Sequence, residues 1–189
     1  MLVAEENAPR RLRGGGLRPT ASRVVQALFS LLGDRVVGAR VLDLFAGTGT
    51  LGISALRRGA SSADFVEANR RLAHALRQHL AHLSLDKRAR VLPMRAEQAL
   101  HRLPGPYDLV LLDPPYAYPA LEAFLEALAS SPLIGERTVV VVEHSKHRPL
   151  PRVAGPLGLW KQRRYGDTMI SIYMRGGDAH GESTLPRDV

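Results

Sequence analysis

The chain has 189 residues, 45% hydrophobic and 23% charged, which suits one well-buried soluble domain and is short for two. No apolar run approaches the ~18 residues that cross a bilayer. The start, MLVAEENAPRR, lacks the apolar core of a secretory signal, and the absence of cysteine excludes disulfides and thiolate metal sites. A cytoplasmic protein with no membrane partner and no metal is therefore expected, and a monomer is the simplest assembly. The net charge is +8, and only Lys87, Lys146 and Lys161 are lysines. Guanidinium groups make two-pronged bonds to phosphate and stack on bases, so the arginine excess suits a nucleic-acid partner. A compositional habit or surface ion pairing produces the same total.

In chain order, residues 1–19 come first, with Arg10, Arg11, Arg13 and Arg18 around three adjacent glycines; they read as a flexible basic arm. A helix capped by Thr20 follows, carrying Arg23 and an apolar side of Val24, Val25, Leu28, Phe29, Leu31 and Leu32. A regular alternation then begins. Strands are expected at 39–45, 62–67, 89–94, 107–113 and 137–143, and helices at 50–58, 69–83 (opened by Asn69), 96–103 and 120–130. Strands that are apolar almost throughout, alternating with amphipathic helices, indicate a parallel sheet covered on both faces. Residues 158–175 break the rhythm as two strands around a turn at Gly166-Asp167. The expected fold is α/β and Rossmann-like: a mainly parallel seven-stranded sheet closing on an antiparallel C-terminal hairpin, with helices on both faces. The domain spans 20–175, and the polar tail, 176–189, is expected to be disordered.

The first strand runs into DLFAGTGTLG, with Asp43, Gly47, Gly49 and Gly52, and Glu67 follows Gly47 by twenty positions at the end of the second strand. Such glycines let the chain turn tightly and bring backbone N–H groups against a ligand, and the acid suits ribose hydroxyls. On the glycines alone a nicotinamide dinucleotide and S-adenosylmethionine (SAM) both fit. Charge separates them. Asp43 at the strand end repels a pyrophosphate, whereas SAM carries an ammonium and a sulfonium that carboxylates attract. Arg95, Ala96 and Glu97, after the third strand, fall where the adenine is expected, with a backbone contact from Ala96.

The fourth strand ends in LLDPPY. The Asp113 carboxylate and the Pro114 carbonyl can accept from both N–H groups of an exocyclic base amine and turn its lone pair toward a methyl donor. Consecutive prolines fix φ and remove donors, leaving rigid carbonyls. Tyr116 offers a face for an extruded base. A stiff loop with Tyr116 packed inward is the plain alternative, and its position at a strand end of a glycine-loop sheet argues against it.

The segments LRPTASRVVQALFSLL, DLFAGTGTLGISALRRGA, DLVLLDPPY, VVVVEHSKH and RRYGDTMISIY together resemble the RsmD family, from about Leu17 to Arg175. These are bacterial SAM-dependent methyltransferases of the N2 amine of a guanine in 16S ribosomal RNA. The resemblance implies SAM as cofactor and a methyltransferase fold. It assigns cofactor contacts to Asp43, Phe45, Ala46, Gly47, Thr48, Gly49, Glu67, Ala68, Arg95, Ala96 and Asp113. The catalytic segment becomes Asp113, Pro114, Pro115 and Tyr116. Arg18, Thr20 and Arg23, with the arm arginines Arg10, Arg11 and Arg13, are expected to face RNA. Only RRLRGGG precedes LRPT here, where the family carries a longer basic strand pair.

Between Asp113 and Arg137 there is room for one helix and two turns, too little for a DNA-reading domain, so a folded RNA in an assembled ribonucleoprotein is the expected partner, which the resemblance implies is 16S RNA of the small subunit. The rivals are a DNA adenine-N6 methyltransferase, an NAD-dependent oxidoreductase and a non-catalytic RNA-binding protein. His74, His79 and His82 lack further convergent ligands for zinc. His144 and Ser145 are adjacent on a strand and point apart, which excludes a nucleophile–base pair. Trp160 and Tyr173 are expected in the core.

Overall fold

The computed structural model describes residues 19–176; the arm with Arg10, Arg11, Arg13 and Arg18, and the tail beyond Gly176, lie outside the described residues. Helix α1 (Pro19–Leu32) starts before the expected cap, so Thr20 sits inside its first turn. Proline explains the shift: its fixed φ suits the first helical position, where an N–H has no partner anyway.

The alternation then runs β1 (Arg40–Asp43), α2 (Thr50–Arg57), β2 (Ser62–Val66), α3 (Arg70–His82), β3 (Ala89–Leu92), α4 (Ala96–Arg102), β4 (Tyr107–Leu112), α5 (Leu121–Ala129) and β5 (Ile134–Ser145). Asn69 caps α3 as expected, its Oδ1 accepting from Arg71 N at 2.9 Å and Leu72 N at 3.2 Å. The seven expected strands include the hairpin of β7 (Leu157–Tyr165) and β8 (Thr168–Arg175). An eighth, β6 (Val153–Ala154), pairs with the start of β7. Two residues carry no periodicity, so β6 left no mark in the sequence.

The sheet order is β3-β2-β1-β4-β5-β8-β7-β6. β1 to β5 are parallel, and β8, β7 and β6 are antiparallel to their neighbours. Side-chain alternation divides each central strand between two cores. Val139 and Val141 join Val41, Leu109 and Leu111 against α1, α2 and α3, while Val140 and Val142 join Leu42, Val110 and Leu112 against α4 and α5. Strands buried on both sides must be apolar throughout, which is why the sequence reads VVVV and LVLL there.

Midway along β2, Asp64 accepts from Arg90 at 3.0 and 2.7 Å and from the Tyr107 hydroxyl at 2.6 Å, tying β2, β3 and β4 together. Tyr173 is a core residue, as expected. Trp160 is only half-buried, with the Arg35 guanidinium 4.6 Å and the Lys161 ammonium 4.0 Å from its ring; its polar strand brings cations to a face that a core would exclude. Among the described residues no helix is long and apolar enough to cross a membrane, and no cluster of three or more His, Asp or Glu could hold a metal.

Candidate active site

After β1 the chain builds outward to β3, then crosses back to place β4 on the other side of β1. The loops following β1 and β4 therefore diverge, and in such sheets the crevice between them is the binding site. Here it is a cleft of about 740 Å³. It brings together Asp43, Phe45, Ala46, Gly47, Thr48, Glu67, Ala68, Arg95, Ala96, Asp113, Pro114, Pro115 and Tyr116. Gly49 does not line it. A Cβ on Gly49 would stand 2.5 Å from Leu76 Cδ1, and one on Gly52 2.3 Å from the Phe65 ring. Both glycines let α2 close onto its neighbours, and only Gly47, at φ 54°, turns its backbone to the cleft. Arg23 is exposed on α1 and does not line the cleft.

Asp43 lies under the loop rather than at its surface, 1% exposed. Its Oδ2 accepts from Gly52 N at 3.0 Å, while Oδ1 is buried with no hydrogen-bond partner among the described residues. Burial raises its carboxyl to about 7; the Gly52 and Phe45 N–H groups oppose the rise, and the charges of Asp113 and Glu67 add to it. Glu67 reaches back across the loop, its Oε2 accepting from Gly47 N at 2.8 Å and its Oε1 from Asn69 N at 2.7 Å. A carboxylate oxygen has two lone pairs, so each still has one for a hydroxyl.

On the other wall, the Pro115 carbonyl accepts from Tyr118 N at 2.8 Å, which leaves the Pro114 carbonyl as the proline acceptor beside Asp113. The Asp113 side chain is accessible from the cleft, with no hydrogen bond or ion pair to any described residue, and its partial desolvation raises its pKa. Tyr116 is 65% exposed, its hydroxyl 3.2 Å from Thr168 Oγ1 on β8. An exposed ring at the rim of a cleft is free to stack on a planar ligand.

Three contributors were missed in the sequence. Tyr118 donates to Glu97 Oε1 at 2.5 Å and sets its ring edge-on to Phe45, 5.1 Å away, joining the DPPY loop to the glycine loop. Arg148 Nη1 donates to the carbonyls of Tyr116 at 3.1 Å and Tyr118 at 2.9 Å. Glu143 stands one step beyond the Leu112–Val142 pair, beside Asp113, and is raised to about 7 by burial and then by the Asp113 charge. Its signal was present: VVVVE is an acid ending an apolar strand, the pattern that marked Asp43 and Asp113. Nothing local marked Tyr118 or Arg148.

The family model described as "Conserved hypothetical protein 95" matches residues 9–174. The chain is similar to ribosomal RNA small subunit methyltransferase D of Escherichia coli strain K12, 34% identical over 168 residues, covering 89% of this chain and 83% of that one. Among solved structures it is similar to a conserved hypothetical protein of Streptococcus pyogenes, with a TM-score of 0.74 and 40% identity over 82% of this chain and 98% of the other. It also shares its fold with magnesium protoporphyrin IX methyltransferase of Synechocystis, solved with SAM bound, at a TM-score of 0.65, 18% identity and 88% of each chain.

Proposed function

The chain belongs to the conserved hypothetical protein 95 family, the RsmD family of the sequence resemblance, and we propose that it transfers a methyl group from SAM to the N2 amine of a guanine in 16S ribosomal RNA, on the small subunit. The observation that carries this reading is the unpartnered Asp113 carboxylate at the end of β4, beside a proline carbonyl and an exposed tyrosine ring.

The cleft fits the cofactor on its own chemistry. A buried Oδ1 of Asp43 without a partner is costly, and it lies where the ammonium of a methionine moiety could relieve it. Asp43, Glu67 and Asp113 line the same space, which favours a cation and repels a diphosphate. Asp43 and the loop around it would hold the amino-acid end, Glu67 the ribose, and Arg95, Ala96 and Glu97 the adenine side. When bound, SAM supplies an electrophilic methyl on a sulfonium.

The chain's own residues supply orientation. Asp113 and the Pro114 carbonyl accept the two amine hydrogens, which turns the nitrogen lone pair out of conjugation with the ring. Stacking on Tyr116 holds the extruded base, at about 1–3 kcal/mol per base. Positioning of this kind, with negative potential where positive charge develops on the amine, lowers the barrier without a covalent intermediate. The raised pKa of Asp113 and the neighbouring Glu143 suit that end of the cleft to accept the proton the amine gives up.

The test is transfer of labelled methyl groups to small subunits lacking the modification, followed by nucleoside analysis of the RNA. N2-methylguanosine in 16S RNA is expected, and Asp113→Ala should lower the rate at least about 100-fold while SAM binding persists. Label in a different nucleoside, or none at all, refutes the assignment.

A further inference from the structure

Four elements meet behind the DPPY loop in one run of hydrogen bonds. His144 Nδ1 is 3.1 Å from the Ser145 carbonyl and 3.0 Å from the Arg148 carbonyl. Carbonyls only accept, so Nδ1 carries the proton. Nε2, 2.8 Å from Ser171 Oγ, is then the acceptor of the neutral ring, and the Ser171 hydroxyl donates to it. Ser171 Oγ in turn accepts from Gln162 Nε2 at 2.8 Å. His144 and Ser171 are both buried, and burial lowers the pKa of His144, so the ring stays neutral and the direction of every bond is fixed. From Arg148 the run continues through the guanidinium to the carbonyls of Tyr116 and Tyr118.

We propose that His144 and Arg148 are positioning residues: they form a strut from the β7–β8 hairpin to the DPPY loop that holds Asp113, Pro114 and Tyr116 in the orientation methyl transfer requires. This rests on the methyltransferase reading of the same site. The chemistry gives the strut its purpose. A double acceptor works only if the carboxylate and carbonyl keep their spacing to the two amine hydrogens, and displacement of about 1 Å in such a geometry can cost ~100-fold in rate. The segment from Pro115 to Tyr118 has one internal bond, from Tyr118 N to the Pro115 carbonyl, so outside anchors must hold the rest. The same hairpin carries Thr168, which the Tyr116 hydroxyl meets. The hairpin and the loop therefore hold one another at both the backbone and the ring.

Arg148 is exposed, so truncating it leaves the core intact. In Arg148→Ala, hydrogen exchange at the Tyr118 amide should quicken at least about 10-fold, a readout independent of turnover. In single-turnover assays on small subunits, the rate should fall about 10- to 50-fold with SAM affinity within about twofold. Arg148→Lys, whose ammonium can also donate to both carbonyls, should recover part of the rate, as should added guanidinium ion with Arg148→Ala. His144→Gln, which can meet Ser171 but not the Arg148 carbonyl, should speed the same amide. Unchanged exchange at Tyr118 in Arg148→Ala overturns the strut whatever the activity. Faster exchange with an unchanged rate overturns its catalytic purpose. Absence of methyl transfer by the unaltered protein refutes the functional reading instead, with the exchange result still deciding the strut.

Discussion

Replacing Asp43 by Asn separates what the cleft needs from what the fold prefers. Burial raises this carboxyl from an ordinary 3.8 to about 7, so the folded protein holds a proton there that the unfolded chain releases. Stability contributed by this group therefore falls as pH rises from about 4 to about 7 and is level above that. At 1.36 kcal/mol per unit, ionised Asp43 costs the cofactor-free protein roughly 4 kcal/mol above pH 7. Asparagine keeps an acceptor for Gly52 N without the charge, but it weakens that bond and sets an amide N–H near Phe45 N. The expected net is a gain of about 1–2 kcal/mol at pH 8 that drops by roughly 2–3 kcal/mol on going to pH 5 and turns into a loss of about 1 kcal/mol, because folded Asp43 is already neutral there while the unfolded carboxyl is still mostly ionised. Urea unfolding at the two pH values reads it. SAM affinity should move the other way, falling at least about 10-fold at pH 8, because the ammonium loses its buried counter-charge. In the unaltered protein, calorimetry near pH 6.5 should register proton release on binding. If Asp43→Asn is no more stable at pH 8 than at pH 5 relative to the parent, and binds SAM equally well, the carboxylate is a structural acceptor only.

Two further substitutions probe the walls of the cleft. Tyr116→Ala should raise the RNA concentration for half-maximal rate and slow transfer by about 10- to 100-fold, as expected for one lost base stack, whereas Tyr116→Phe, which loses only the 3.2 Å contact with Thr168, should stay within about threefold. Gly52→Ala forces a methyl to 2.3 Å from the Phe65 ring, so it should destabilise by about 1–3 kcal/mol in urea unfolding. Its backbone φ is unremarkable, which makes the clash the sole cause.

The strand–helix alternation was legible because buried parallel strands have no polar positions and amphipathic helices keep a period. The glycine loop and DPPY were legible because each is a local arrangement of a few consecutive residues. The depth of Asp43 was not: the acid type and its position could be read, but its cover by α2 depends on Gly52 closing onto Phe65, across a separation no local pattern spans. Arg148 reaches back thirty residues to Tyr118 and Tyr118 twenty-one to Glu97, so neither contact has a local signature. Glu143 differs, since an acid at the end of an apolar run was a pattern already in use for two other strands.

That shared pattern has an electrostatic consequence. Asp43 ends β1, Asp113 follows β4 and Glu143 closes the apolar run of β5, three adjacent strands, and the Asp113 charge raises the pKa of both others. Near neutral pH each of the three resists ionising beside the others, so the cofactor-free cleft retains protons that a cationic ligand helps to displace. The chain as a whole carries +8. An RNA phosphate is drawn to such an exterior and repelled from an acidic floor, whereas an uncharged base meets no such barrier. The two opposite fields thus sort the parts of a nucleotide: the backbone stays outside, and the base alone enters to meet Asp113.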